Sequence, residues 1–148
     1  MSPGLNSGDL ITNYADLLHR QIPAAWFVGG RPCEHAFRPK SNDDGELSVY
    51  WGNLIGPEES FKLHKTNNCK SAGVFSLSVD ECQTVALPVH FDPKENNPSH
   101  SFVNFKDVLE KTSRIAKSII LRDYALTRGA TFLPKGSESQ GDQEKATA

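Results

Sequence analysis

The stretch VALPVHFDPKENNPSHSFVNF, Val85 to Phe105, carries the clearest structural signal in the chain. Val85, Leu87, Val89 and Phe91 alternate with Ala86, Pro88 and His90, as the period-2 geometry of a half-buried strand requires. The run Asp92-Pro93-Lys94-Glu95-Asn96-Asn97-Pro98 is made of turn-forming residues. Beyond it the alternation resumes, with Ser101, Val103 and Phe105 on one face and His100, Phe102 and Asn104 on the other. The segment therefore reads as two antiparallel strands joined by a polar loop. A register that opposes Phe91 to Ser99, Val89 to Ser101, Leu87 to Val103 and Val85 to Phe105 keeps the apolar residues on one face, and so does any even-numbered slip from it. In that register His90 lies opposite His100 on the other face, with β-carbons about 4.5–5.5 Å apart.

Working outward from the hairpin, the downstream sequence predicts the longest helix, Lys106 to Arg128, entered at Asn104 and ended by Gly129. Thr131-Phe132-Leu133 can add a short edge strand. From Pro134 to Ala148 no apolar side chain is larger than alanine, so a disordered tail is expected there. Upstream, Phe75, Leu77 and Val79 alternate as a strand, and Ser78 with Glu81 forms a capping-box pattern that predicts a helical turn over Asp80 to Thr84. Gly56-Pro57-Glu58-Glu59 opens a short helix to about Lys65. Leu47, Val49 and Trp51 mark another strand, paired as a hairpin with a short strand over Cys33 to Pro39. Leu10, Tyr14, Leu17 and Leu18 fall on one helical stripe, so residues 8–21 are expected to be helical and stopped by Pro23. The fold class expected is α+β: a four- or five-stranded, largely antiparallel sheet packed by an N-terminal helix and a long C-terminal helix. Residues 1–133 would form a single globular domain and 134–148 the tail.

Composition narrows the function classes. A length of 148 residues, 37% hydrophobic and 23% charged, is enough for a core without staples. A formal net charge of −2 gives no general attraction to nucleic acid or acidic membranes, so neither is expected as a partner. Cys33, Cys69 and Cys82 are odd in number and lack CxxC spacing, which fits reduced thiols. The first residues show no secretion signal and no apolar run could span a bilayer, so a cytoplasmic location is expected.

Chemistry-bearing residues cluster at the hairpin mouth. His90, His100 and Asp92 are the candidate catalytic set, since two imidazoles and a carboxylate can share proton transfers. His35, Arg38, Arg31 and Tyr50 are the candidate ligand-binding residues, with the arginines available to hold negative charge. His90 and Asp92 form an HxD pair that with His100 would count three metal ligands, but Asp92 begins the turn and leaves the strand face, so no metal is assigned. Gly29-Gly30 lacks the lysine and hydroxyl of a Walker loop and the third glycine of a dinucleotide fold. No cofactor is named by any motif. The function expected is a domain with a His/Arg-lined pocket for an anionic, phosphate-containing ligand, with acid–base hydrolase or transferase chemistry on it. The alternative is a non-catalytic interaction module such as an adaptor, inhibitor or antitoxin-like partner.

Overall fold

The computed structural model describes residues 4–134. The chain runs β1 (Leu17–Ile22), β2 (Phe27–Val28), β3 (Arg31–Pro32), β4 (Glu46–Trp51), α1 (Pro57–Thr66), β5 (Gly73–Ser78), α2 (Val79–Thr84), β6 (Val89–Phe91), β7 (His100–Asn104) and α3 (Lys111–Arg128). Single 3-10 turns lie at Ala24–Trp26 and Glu34–Phe37. Five strands form one sheet in the order β5-β1-β4-β7-β6, antiparallel throughout, and β2 and β3 make a separate small ribbon. The architecture is α+β, with the long C-terminal helix in the expected place and Gly129 (φ 87°) closing it. No helix among the described residues is long and apolar enough to cross a membrane.

The hairpin forms, but it is shorter than expected and slips by two residues. Val89 pairs with Val103, His90 with Phe102 and Phe91 with Ser101. Both registers keep the apolar set on one face, so hydrophobicity does not choose between them. The loop chooses. Lys94 and Asn97 exchange both backbone hydrogen bonds, and the Asp92 N–H donates to the His100 carbonyl, which puts three residue steps on the β7 side against two on the β6 side. The extra residue is a bulge at Pro98-Ser99, where proline's missing N–H costs no ladder bond. Val85 to Pro88 are not strand: Val85 caps α2, and Ala86 turns the chain out of the helix at φ 61°. Leu87 and Phe105 are nonetheless fully buried.

Residues 8–21 are not a helix. Leu17–Ile22 is instead an inner strand, which follows β5 for its whole length and alternates Leu18 and Ile22 inward against His19 and Gln21 outward. Leu10, Tyr14, Leu17 and Leu18 satisfy a helical stripe as well as isolated residues can, but pairing on both edges overrides local period. Residues 8–11 run along β6, with the Gly8 N–H bonded to the Phe91 carbonyl and the Ile11 N–H to that of Val89. That segment covers one sheet edge, and Phe132 bridges Val74 at the other. Cys33–Pro39 is not a strand but holds a 3-10 turn at Glu34–Phe37, so β4 pairs with β1 and β7 instead of with it. Helix α3 begins at Lys111, later than Lys106, because the Asn104 side chain accepts the Lys106 N–H and closes a turn there. The tail expected over 134–148 lies, from residue 135 on, outside the described residues.

The sheet has two unlike faces. Leu18, Leu47, Val49, Leu77, Val89 and Val103 form the core with Phe37, Leu121 and Ala125, under α3 and the Glu34–Phe37 turn. The opposite face carries His19, Gln21, Ser48, Tyr50, His90, His100 and Phe102. Helix α1 lies mainly over its β1–β5 side, held there by a hydrogen bond from the Gln21 amide to Ser60 Oγ at 2.8 Å.

Candidate functional site

A cleft of about 250 Å³ opens on this polar face beside α1. Its floor is β1 and β4, which pair only at Leu18↔Trp51 and His19↔Tyr50. Beyond that point the Arg20 side chain joins them, donating from Nη1 to the Ser48 carbonyl at 2.9 Å and from Nε to the Ala36 carbonyl at 2.7 Å. The far wall is the hairpin loop, which the Asn67 amide at the end of α1 ties down through the Asn96 carbonyl at 3.0 Å.

Arg20 dominates the electrostatics. Its guanidinium lies over the Trp26 ring, 5.6 Å from the centroid, and both of its hydrogen bonds run to neutral carbonyls. Burial lowers its pKa to about 10, partly opposed by the more distant charge of Asp43, so it is a cation at every physiological pH. Among the described residues it has no carboxylate within ion-pair distance. The cleft lining contains Arg20, Lys94, His64 and His100, and no acidic residue. Lys94 is partly neutralised by Asp92 at 3.2 Å, just behind the wall. The cleft is therefore a partly desolvated positive site with one uncompensated charge.

Two imidazoles face it in fixed tautomers. His100 Nδ1 lies 2.9 Å from the Asp92 carbonyl oxygen and 3.2 Å from the Asp92 carboxylate. Both groups only accept, so in the neutral ring the proton sits on Nδ1, and Nε2 accepts from the Ser48 hydroxyl at 3.2 Å. Carboxylate, imidazole and hydroxyl thus form a line that ends in the cleft. On the opposite wall Tyr50 Oη meets His64 Nδ1 at 2.7 Å, ring edge to ring face. Burial, helped by the Arg20 charge, depresses the His64 pKa to about 4, while the Lys70 backbone hydrogen bond pulls the other way. His64 is accordingly neutral and Tyr50 donates to it. Burial, reinforced by Cys69, raises the Tyr50 phenol well above its ordinary value and keeps it protonated.

Of the residues expected from sequence, His100 and Tyr50 line the cleft, and Asp92 stands directly behind His100. His90 does not join them. It stacks on Phe102 with ring centroids 5.0 Å apart, and both of its nitrogens are engaged, Nδ1 with the Gly8 carbonyl and Nε2 with the Asn104 amide. His35 packs edge-on against Trp26, and Arg38 is bonded to Glu34 at 2.9 Å and to His35 at 3.2 Å. Burial alone would raise the Glu34 carboxyl, but hydrogen bonds from Arg38 and Ser118 outweigh it and hold the group ionised, so Arg38 is a compensated cation. Arg31 is exposed on the β2–β3 ribbon. None of His35, Arg38, Arg31 or His90 lines the cleft.

Arg20 and Lys94 do not stand out as site residues in the sequence. Arg20 carried the one available signal, a charge on the inward side of the Leu18/Ile22 alternation, and reading 8–21 as a helix hid it. Among the described residues no group of three or more His, Cys, Asp or Glu side chains could hold a metal ion. Compared with known proteins, the chain matches no family model, no curated protein and no solved structure.

Proposed function

We propose that the cleft binds a small anionic ligand, phosphate-containing, and that His100 with Ser48 performs acid–base chemistry on it as a hydrolase or transferase. The observation that carries this reading is Arg20, a half-buried cation whose hydrogen bonds run only to carbonyls, at the edge of a cleft that no acid lines. Holding a partly desolvated charge without a counter-ion is unfavourable, and an anion supplied from solution reduces that cost. Lys94 and the Asn96 side-chain amide stand around the same space to hold further oxygens. The cysteines are unpaired, which fits a reducing, cytoplasmic compartment.

The test is an NMR titration with inorganic phosphate and with a nucleoside monophosphate. Shifts are expected at Arg20, Tyr50, His64 and His100, with affinity weakened about tenfold in Arg20→Gln, which keeps two side-chain donors but loses the charge. A protein partner presenting an acidic side chain is the competing occupant and predicts no response to either probe; that outcome overturns the small-anion reading.

A further inference from the structure

We propose that Ser48 is a nucleophile, with His100 as its general base and Asp92 as the residue that positions His100, and that the cleft cleaves small esters carrying an anionic group. The inference rests on the anion-binding reading for its substrate class, but not for the nucleophile itself. Its basis is the order of contacts: Asp92 Oδ2 to His100 Nδ1 at 3.2 Å, then His100 Nε2 to Ser48 Oγ at 3.2 Å. A nucleophilic hydroxyl needs a base whose proton-free nitrogen faces it and whose other nitrogen is held by an acceptor. The Asp92 carbonyl at 2.9 Å enforces that tautomer together with the carboxylate. Three elements contribute: β4 supplies Ser48, β7 supplies His100, and the chain just after β6 supplies Asp92. The β4–β7 register explains why they meet, since His100 pairs with Tyr50, and Ser48 lies one step along on the same face. Ser48 is exposed to the cleft, whereas His100 is largely covered.

In the first half-reaction Ser48 Oγ bonds to the ester carbonyl carbon while its proton passes to His100 Nε2. The tetrahedral oxyanion forms in a cleft already positive from Arg20 and Lys94. Collapse breaks the bond to the leaving alkoxide, which takes the proton from Nε2 and departs as the alcohol. Water then attacks the acyl-Ser48 ester, gives its proton to Nε2, and collapse returns that proton to Ser48 Oγ as the carboxylic acid leaves. No oxidant, reductant or further reactant is needed.

The experiment treats the intact chain with an alkyl fluorophosphonate, which loses fluoride to an activated serine, and maps the adduct by peptide mass spectrometry. A single adduct on Ser48 is expected, absent in Ser48→Ala and slowed roughly 100-fold or more in His100→Gln. Asp92→Asn should slow labelling and also displace its pH profile, a change that a merely structural role would not produce. Inorganic phosphate should protect Ser48. Absence of a Ser48 adduct on folded chain, with phosphate binding intact, overturns the nucleophile and leaves the anion site standing. Labelling of Ser48 that phosphate never slows supports the nucleophile and overturns the anionic substrate class.

Discussion

At the scale of single residues, burial sets which charge states the polar face holds. His64 is kept neutral, its pKa lowered to about 4 from an ordinary 6.5, mainly because burial penalises the imidazolium. His19, buried and bonded to Ser76 at 2.8 Å, is shifted in the same direction for the same leading reason. A group that binds its proton more weakly when folded stabilises the fold fully above its unfolded pKa and loses that contribution as pH falls. For His64 the loss runs from pH 6.5 down to about 4. Allowing for solvent at the partly exposed ring, it amounts to ~1–2 kcal/mol. Urea denaturation across that window should therefore show stability falling in the native chain and falling less steeply in His64→Gln, with His19 accounting for the remaining slope. The same slope in both proteins would mean that His64 is not held neutral.

At the scale of elements, short helices survive because their ends are satisfied. Helix α2 has only six residues, yet Ser78 Oγ accepts the Glu81 N–H at 3.0 Å and Glu81 returns a bond to the Ser78 N–H at 2.8 Å. The Glu81 carboxylate is also held by both terminal nitrogens of Arg128 at the end of α3, so one cap fastens two helices and the β5 edge. Ser78→Ala should cost about 1 kcal/mol in chemical denaturation, the usual worth of such a cap. Glu81→Ala should cost more, because it removes the reciprocal bond and the Arg128 pair together. Equal losses from the two would show that the link to α3 contributes nothing.

At the scale of the whole molecule, stability and chemistry occupy opposite faces of one sheet. Leu121 from α3 is fully buried against the apolar face, and its truncation to alanine leaves a cavity. A loss of about 2–5 kcal/mol is expected from urea unfolding of Leu121→Ala. Ser48→Ala, on the exposed floor of the cleft, should change stability by less than ~0.5 kcal/mol. A face that tolerates polar substitution can carry His100 and Ser48 without compromising the core, and Arg20 reaches the cleft from the core side of β1 through its bond to the Ser48 carbonyl.

The residue pattern alone specified the α+β class, a hairpin across the Asp92–Pro98 loop, α1, the α2 capping box and the Gly129 helix stop. These depend on short-range periodicity, capping chemistry and turn formers, which act within a few residues. Only the tertiary structure decided that Leu17–Ile22 is an inner strand, because a strand's alternation is selected by partners far along the chain. It also chose between two registers equal in hydrophobicity, through the bulge at Pro98-Ser99. The grouping of Arg20, Ser48, His64 and His100 followed from those two outcomes, since it brings together strands that are remote in sequence and adjacent only in the sheet.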